Sequence, residues 1–269
     1  MGAAHGALSM SIKSGAHAAW SRFRRGAPRL WLALILVNLQ FWSPAIGSAQ
    51  TSPTPHPSSP QKVSLRIMPL GDSITFGTPE PLYGGYRHAL RDQLSKDGYR
   101  INFVGSQKSG AGVIPDPGNE GHPGWTIAQI KKGIDANGWL ETHQPDIILL
   151  HIGTNDISRG NAASAPAELS TLLSDILARL PQVRVIVAQI LPYRSGPEPG
   201  HQLYNGAIPG IVASKGPRVS VVDMQNILLK SDFADDLHPN ASGYDKMARA
   251  WERALRAVVL TKSRLRVEQ

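Results

Sequence analysis

A serine stands directly after the first strand-like apolar run of the chain. That run ends at Leu70 and is followed by Gly71-Asp72-Ser73. Glycine allows a sharp backbone turn, so we expect the short side chain of Ser73 to be exposed just beyond the end of a strand. A serine hydroxyl becomes a strong nucleophile when a neighbouring base takes its proton. On its own, however, this tripeptide is more typical of a plain turn.

A base of the required kind occurs near the end of the chain, in Asp235-Asp236-Leu237-His238-Pro239. An imidazole base needs a partner that fixes its tautomer. One turn of chain could place the Asp235 carboxylate against Nδ1 of His238, which leaves Nε2 facing outward. Pro239 keeps His238 out of the helical region and can begin the next helix. A metal pair is the alternative, but no other His or acid lies at ligand spacing, and no metal site is expected.

Two further segments carry groups that could bind a developing negative charge. His151-Ile152-Gly153-Thr154-Asn155-Asp156 follows an apolar run, and the amide of Asn155 could point across the sheet edge toward Ser73. The alternative is an Asx-turn or a helix cap, for which Asp156 is the better candidate. In His122-Pro123-Gly124-Trp125, the Gly124 backbone N–H could face an anion. A rigid Pro-Gly turn anchored by Trp125 is an equally compatible interpretation.

The elements that must position these residues alternate between two patterns. Short apolar runs predict buried parallel strands, and segments of helical spacing separate them. The predicted strands are Val63–Leu70, Ile101–Val104, Asp146–Ile152, Val183–Ile190 and Val219–Val222. The predicted helices are Tyr86–Lys96, Thr126–Asn137, Ala165–Leu180, Leu203–Ser214 and Ala241–Leu260.

This alternation predicts an α/β fold: a flavodoxin-like three-layer α/β/α sandwich whose five-stranded parallel sheet has the order 2-1-3-4-5. In such sheets, functional residues lie on loops beyond the carboxyl ends of the strands. Each of the segments above with candidate chemistry falls on a loop of this kind or at a helix start.

The first part of the chain has the pattern of an export signal. A basic region ending at Arg29 precedes an apolar stretch from Leu30 to Leu39, and small residues offer a cleavage site after Ala49. Residues 1–49 are therefore interpreted as a signal peptide, or alternatively as an uncleaved N-terminal anchor. Translation could also start at Met10. Residues 50–62, rich in Pro, Ser and Thr, are interpreted as a linker. The predicted domain then spans 63–262, with a basic tail at 263–269.

The composition of the chain limits the classes of ligand and the kinds of chemistry that can be expected of it. The chain has 269 residues and a net charge of +8. Five of the positive charges precede residue 50 in a stretch without acids, so the rest carries about +3. This small excess gives no case for a nucleic-acid partner. With no cysteine, thiol chemistry is excluded. Neither a G-x-S-x-G elbow nor a P-loop or G-x-G-x-x-G nucleotide motif occurs.

Taken in order, GDSIT, GHPGWT, HIGTND and DxxHP resemble the four sequence blocks of the GDSL/SGNH hydrolase superfamily. The resemblance implies a Ser73–His238–Asp235 triad that works without metal or organic cofactor. It implies an oxyanion hole formed by the N–H groups of Ser73 and Gly124 and the amide of Asn155.

The segments YGGYR, INFVGS and the block around Trp125 are also similar to secreted acetylxylan esterases. Trp125, Tyr86 and Arg87 are the candidate sugar-facing residues that this similarity suggests.

The sequence thus predicts a serine esterase, secreted or periplasmic, that removes acetyl or other short acyl groups, with an acylated carbohydrate or small ester as its partner. No stable membrane association is expected once the signal is cleaved, and the oligomeric state is left open. A lipid-directed esterase or lysophospholipase is one alternative. A non-catalytic carbohydrate-binding domain on the same fold is another.

Overall fold

The computed structural model describes residues 64–80 and 82–267. Within these ranges the chain forms one six-stranded sheet in which all strand pairs are parallel. Its strands are β1 (Ser64–Gly71), β2 (Arg100–Phe103), β3 (Glu120–Gly121), β4 (Ile147–His151), β5 (Arg184–Ala188) and β6 (Val219–Val222). The main order is β2-β1-β4-β5-β6, with the short β3 paired to β1. This is the predicted 2-1-3-4-5 order with one strand added.

Eight α-helices connect or cover these strands in the described part of the chain. They are α1 (Ser73–Phe76), α2 (Tyr86–Lys96), α3 (Ile127–Asn137), α4 (Trp139–His143), α5 (Thr154–Ser158), α6 (Ala165–Arg179), α7 (Pro199–Ser214) and α8 (Ala241–Val267). A 3₁₀ turn also lies at Lys230–Asp232. None of the described helices combines the length and apolar character needed to cross a bilayer.

The sheet separates two apolar cores, as a three-layer fold requires. On one face, α3, α6 and α7 pack over side chains such as Leu150 and Val187. On the other face, α2 and α8 pack together over side chains such as Ile67 and Leu149, with Trp251 fully buried between them. Because β4 contributes to both cores and is buried along its length, its sequence IILLH is apolar up to its last residue.

β1 and β4 approach each other very closely where the sheet ends. Gly71 pairs with His151 on β4 and with Gly121 on β3. A Cβ atom at Gly71 would lie 2.0 Å from the backbone carbonyl oxygen of His151. Glycine at this position therefore lets three strands converge next to Ser73.

Some predicted boundaries differ from the structure. The last helix continues to Val267, so the residues expected as a tail after 262 extend α8 as far as they are described. α7 begins at Pro199 rather than Leu203, because a proline is compatible with the first turn of a helix. The predicted signal peptide (1–49) and linker (50–62) lie outside the described residues.

Candidate active site

Ser73 occupies the turn between β1 and α1. β1 ends at Gly71, and Asp72 caps α1 because its side chain accepts a hydrogen bond from the Ile74 backbone N–H at 3.0 Å. Ser73 is consequently the first residue of α1 and is only partly buried. The strand-to-helix turn thus presents its hydroxyl at the carboxyl edge of the sheet, where the sequence predicted it.

The structure brings Ser73, His238 and Asp235 into one chain of hydrogen bonds. The Nε2 atom of His238 lies 2.9 Å from Oγ of Ser73, although the residues are 165 positions apart. On the other side of the ring, Nδ1 lies 2.8 Å from Oδ2 of Asp235. Both distances permit hydrogen bonds. With Nδ1–H donating to the carboxylate, Nε2 is the free base that can accept the serine proton.

The loop from Phe233 to Pro239 holds the imidazole in place. Oδ1 of Asp235 accepts the backbone N–H groups of Leu237 and His238 at 2.8 and 2.7 Å. The loop is closed by a bridge between Phe233 and Pro239. Burial opposes ionisation of Asp235, but the hydrogen bonds from His238 and the loop backbone outweigh it and lower its pKa. The carboxylate therefore stays ionised beside the ring.

Asn155 is oriented by the loop that carries Gly124. Its Nδ2 donates to the backbone carbonyl of Trp125 at 3.0 Å. An amide nitrogen has two hydrogens, so one remains for another acceptor. Gly124 itself has a φ of 80°, in the left-handed region that favours glycine.

Two further contacts join the same pair of loops, and sequence reasoning missed one of them. Arg159, the C-cap of α5, donates from its guanidinium to the Gly124 carbonyl at 2.7 Å. The Asp156 carboxylate accepts the Ile127 N–H, with its oxygens 3.2 and 3.3 Å away. Asp156 lies in α5 and binds the first backbone N–H of α3. It does not cap the helix that follows it in the chain. No local sequence signal identifies Arg159, because its partner is 35 residues away.

Two buried acids lie behind Ser73. Burial, together with a smaller effect of the nearby Asp156 carboxylate, raises the pKa of Asp72 to about 7 against the lowering effect of the Ile74 N–H. Burial likewise raises the pKa of Asp156 to about 6. At pH 7 Asp72 is therefore only partly ionised, so it places less negative charge behind the hydroxyl than an ordinary aspartate would.

His151 contributes no charge to the sheet edge. It is fully buried at the end of β4, and burial lowers its pKa to about 4. The ring is therefore neutral at physiological pH. Among the described residues, no group of three or more His, Cys, Asp or Glu side chains is arranged to hold a metal ion.

Trp125 forms part of an aromatic stack. The His122 ring stacks on Trp125 and on Trp139 at centroid distances of 4.2 and 4.6 Å, and the two indole rings are 6.2 Å apart. Trp125 is half-buried, and Gly133 leaves room for both indoles on α3. Packing thus accounts for much of this side chain, and its remaining surface lines a cavity together with Gln107 and His143.

The interpretation of Tyr86 and Arg87 as sugar-facing residues is wrong. Both side chains are fully buried. Tyr86 packs on Trp251 at a centroid distance of 5.9 Å. The Arg87 guanidinium donates to the carbonyls of Phe76, Ser109 and Pro117 at 2.9–3.2 Å. A buried arginine must satisfy its donors internally, and here it ties the loops beside α1 together.

A parallel α/β sheet that carries a Ser–His–Asp chain of hydrogen bonds at its carboxyl edge is typical of a serine hydrolase. Residues 70–246 match the family model described as GDSL-like Lipase/Acylhydrolase family. The chain belongs to this family.

Three known proteins show which branch the chain resembles. It is 39% identical to a family 3 carbohydrate esterase of Clostridium thermocellum, covering 72% of this chain and 98% of that one with a TM-score of 0.62. It is 28% identical to an acetyl esterase solved with an acetate ion, covering 73% and 99% of the two chains, also with a TM-score of 0.62. It is 32% identical to a multidomain esterase of Ruminococcus flavefaciens over 72% of this chain. That match spans only 29% of the longer protein.

Proposed function

We propose that this protein hydrolyses acetyl and other short acyl esters of carbohydrates outside the cell, with Ser73 as its nucleophile. The observation that carries the proposal is the continuous hydrogen-bond chain from Ser73 through His238 to Asp235, with 2.9 and 2.8 Å links. Such a chain supplies both a base for the hydroxyl and a partner that stabilises the imidazolium.

The chemistry would proceed in two halves. Oγ of Ser73 attacks the ester carbonyl while Nε2 of His238 takes the hydroxyl proton. The tetrahedral oxyanion is bound by the N–H groups of Ser73 and Gly124 and by the free amide hydrogen of Asn155. When the C–O bond breaks, His238 gives its proton to the departing sugar oxygen, which leaves as a hydroxyl. His238 then takes a proton from the water that attacks the acyl-enzyme, and it returns this proton to Oγ of Ser73 as the free acid leaves.

The relatives support the carbohydrate substrate. A carbohydrate esterase and an acetyl esterase each align over nearly their full length with this chain. The half-buried Trp125 beside Gly124 offers an aromatic surface on which a pyranose ring could stack.

Export is inferred from residues 1–49, and mass spectrometry of the mature protein from culture medium tests it. A start after Ala49 supports the proposal, and retention of the intact segment with the cells contradicts it.

A lipid-directed esterase is the second candidate. Leu82 and Tyr83, in the segment that follows α1, are 75% and 57% exposed. Exposed apolar groups of this kind could meet a lipid surface. A series of p-nitrophenyl esters from acetate to palmitate separates the two candidates. A clear preference for long chains overturns the carbohydrate assignment.

The decisive test is acetate release from acetylated xylan, other acetylated polysaccharides and p-nitrophenyl acetate. Wild-type protein is expected to release acetate from at least one polysaccharide, and Ser73→Ala to release none. Ser95→Ala, an exposed serine on α2, is the matched control and is expected to behave as wild type. Ser73→Ala protein that retains full activity contradicts the proposal.

A further inference from the structure

A cavity separate from the Ser73 site lies at the carboxyl edge of the sheet, beyond the ends of β5 and β6. Its volume is about 440 Å³, within the range of small-molecule sites. Its walls are the segment 192–197 that follows β5, the first turns of α7, and the segment 225–233 after β6. Nothing in the chemistry described above uses it.

The cavity adjoins the loop that carries the imidazole. Arg194 donates its backbone N–H to the Asp236 carbonyl at 2.8 Å. The Ser195 N–H reaches Oδ1 of the same aspartate at 3.1 Å. Phe233, which lines the cavity, is bridged to Pro239 next to His238. A long substrate held at Ser73 can therefore extend from the triad loop into this space.

The lining carries positive charge without acids. Arg194 and Lys230 both line the cavity, are exposed, and form no ion pair with any described residue. Four carboxylates lie beside lining residues. Asp232 pairs with Lys246, and the other three accept hydrogen bonds from backbone N–H groups. Those three are Glu198, Asp223 and Asp236, which accept from His201, Gln225 and Ser195. Two free cations in such a cavity favour an anionic ligand.

The remaining lining suits a hydroxylated ring. Gln202 and Asn226 offer exposed amides, and Tyr193 offers an aromatic ring. Nδ1 of His201 accepts the Glu198 N–H at 3.3 Å, so in the neutral ring Nε2 carries the hydrogen. That donor and the Tyr193 hydroxyl are buried without a partner among the described residues. Both atoms lie behind the accessible surface, so the groups open to a ligand are the exposed amides and the part of Tyr193 that lines the cavity.

We propose that this cavity is a subsite for an acidic sugar, a pyranose bearing a carboxylate, located along the chain from the acylated unit. Arg194 and Lys230 bind the carboxylate, and the amides and Tyr193 bind the ring. This inference rests on the proposed function and adds a preference for acetylated polysaccharides that contain uronate.

The test compares two acetylated oligosaccharides that differ only in whether the uronate is free or converted to its methyl ester. Wild-type protein is expected to show a higher kcat/KM on the free acid. Arg194→Ala and Lys230→Ala should each remove about threefold to fivefold of this preference, chiefly through KM, and 0.5 M salt should weaken it. Arg100→Ala, at the opposite edge of the sheet, is the matched control. All variants should hydrolyse p-nitrophenyl acetate like wild type.

A binding measurement gives a readout without turnover. Deacetylated uronate oligosaccharide titrated into Ser73→Ala protein should bind more tightly than its methyl ester, and adding Arg194→Ala should reduce the difference by about threefold to fivefold. Equal rates and equal affinities for acid and ester overturn the subsite while leaving the carbohydrate esterase intact. Activity on p-nitrophenyl acetate without release from any acetylated carbohydrate overturns the proposed function instead.

Discussion

The guanidinium of Arg159 donates a hydrogen bond to the carbonyl oxygen of Gly124 at 2.7 Å. The contact fixes the peptide next to the glycine whose N–H is proposed to bind the oxyanion. Arg159 also donates to Oε1 of Gln129 at 3.4 Å. The guanidinium is therefore held both by the loop of Gly124 and by the first turn of α3. A surface arginine thus acts as a positioning residue for the loop.

Arg159→Ala is expected to lower kcat about tenfold with little change in KM, because the loop loses its orientation and not its substrate contacts. Arg159→Lys should recover part of the loss, since an ammonium can still donate to the carbonyl. The measurement is steady-state kinetics on p-nitrophenyl acetate. A change confined to KM would mean that Arg159 binds substrate directly.

Asn155→Ala is expected to lower kcat about 10²–10³-fold, the usual cost of losing one oxyanion donor. The variant also loses the bond to the Trp125 carbonyl. Asn137→Ala is the matched control, because it removes a similar amide-to-carbonyl bond, to Gly133 within α3. Thermal unfolding and kinetics are measured for both. Similar kinetics for the two variants would contradict the role of Asn155.

The buried carboxyl of Asp72 should make the protein more stable as the pH falls from 7 toward 5. Its folded pKa is raised from 3.8 to about 7. Between these values the folded state binds more protons than the unfolded state, so acidification favours folding by about 1 kcal/mol per pH unit. Asp72→Asn, which keeps an acceptor for the Ile74 N–H, should lose this contribution.

The check is urea unfolding of wild type and Asp72→Asn at pH 5, 6, 7 and 8. The free energies of unfolding should diverge as the pH falls, with wild type gaining relative to the variant. Asp156 remains in both proteins and contributes to both curves. Parallel curves would show that Asp72 titrates as an ordinary carboxyl.

Gly71→Ala is expected to destabilise the fold by more than about 4 kcal/mol, because the new methyl group would overlap the His151 carbonyl oxygen at 2.0 Å. Gly98→Ala provides the contrast. It has a φ of +86° but no atom within 4 Å, so only backbone strain of about 1–2 kcal/mol is expected. Chemical denaturation measures both. Equal losses would show that the strands can move apart to admit the methyl group, because Gly71 has no positive φ that would strain an alanine.

The sheet order and the main site were accessible from sequence because both follow from local patterns. Apolar runs separated by helical segments predict a parallel sheet, and the carboxyl ends of its strands converge. The three-residue spacing of Asp235 and His238 sets their contact through one loop. The position of Ser73 follows from the end of the first apolar run and from the glycine after it.

Other features depend on contacts that no local pattern records. β3 has only two residues, which is too short for a hydrophobic period to be visible in the sequence. It pairs with β1 because the surrounding elements place it there. Tyr86 and Arg87 stand in a segment similar to carbohydrate esterases, but similarity does not reveal which way a side chain points. Tyr86 turns inward because α2 packs on α8, and Arg87 turns inward because its guanidinium donates to carbonyls of the loops beside α1. Arg159 and the cavity beyond β5 likewise arise only when distant loops meet.

The central claim is that His238 activates Ser73. An organophosphonate ester probe reacts with an activated serine, and intact-mass and peptide mass spectrometry locate the adduct. We predict a single adduct at Ser73, formed quickly in wild type, absent in Ser73→Ala, and slowed by several orders of magnitude in His238→Ala. No adduct on the folded protein, or labelling of Ser73 at an unchanged rate in His238→Ala, would contradict it.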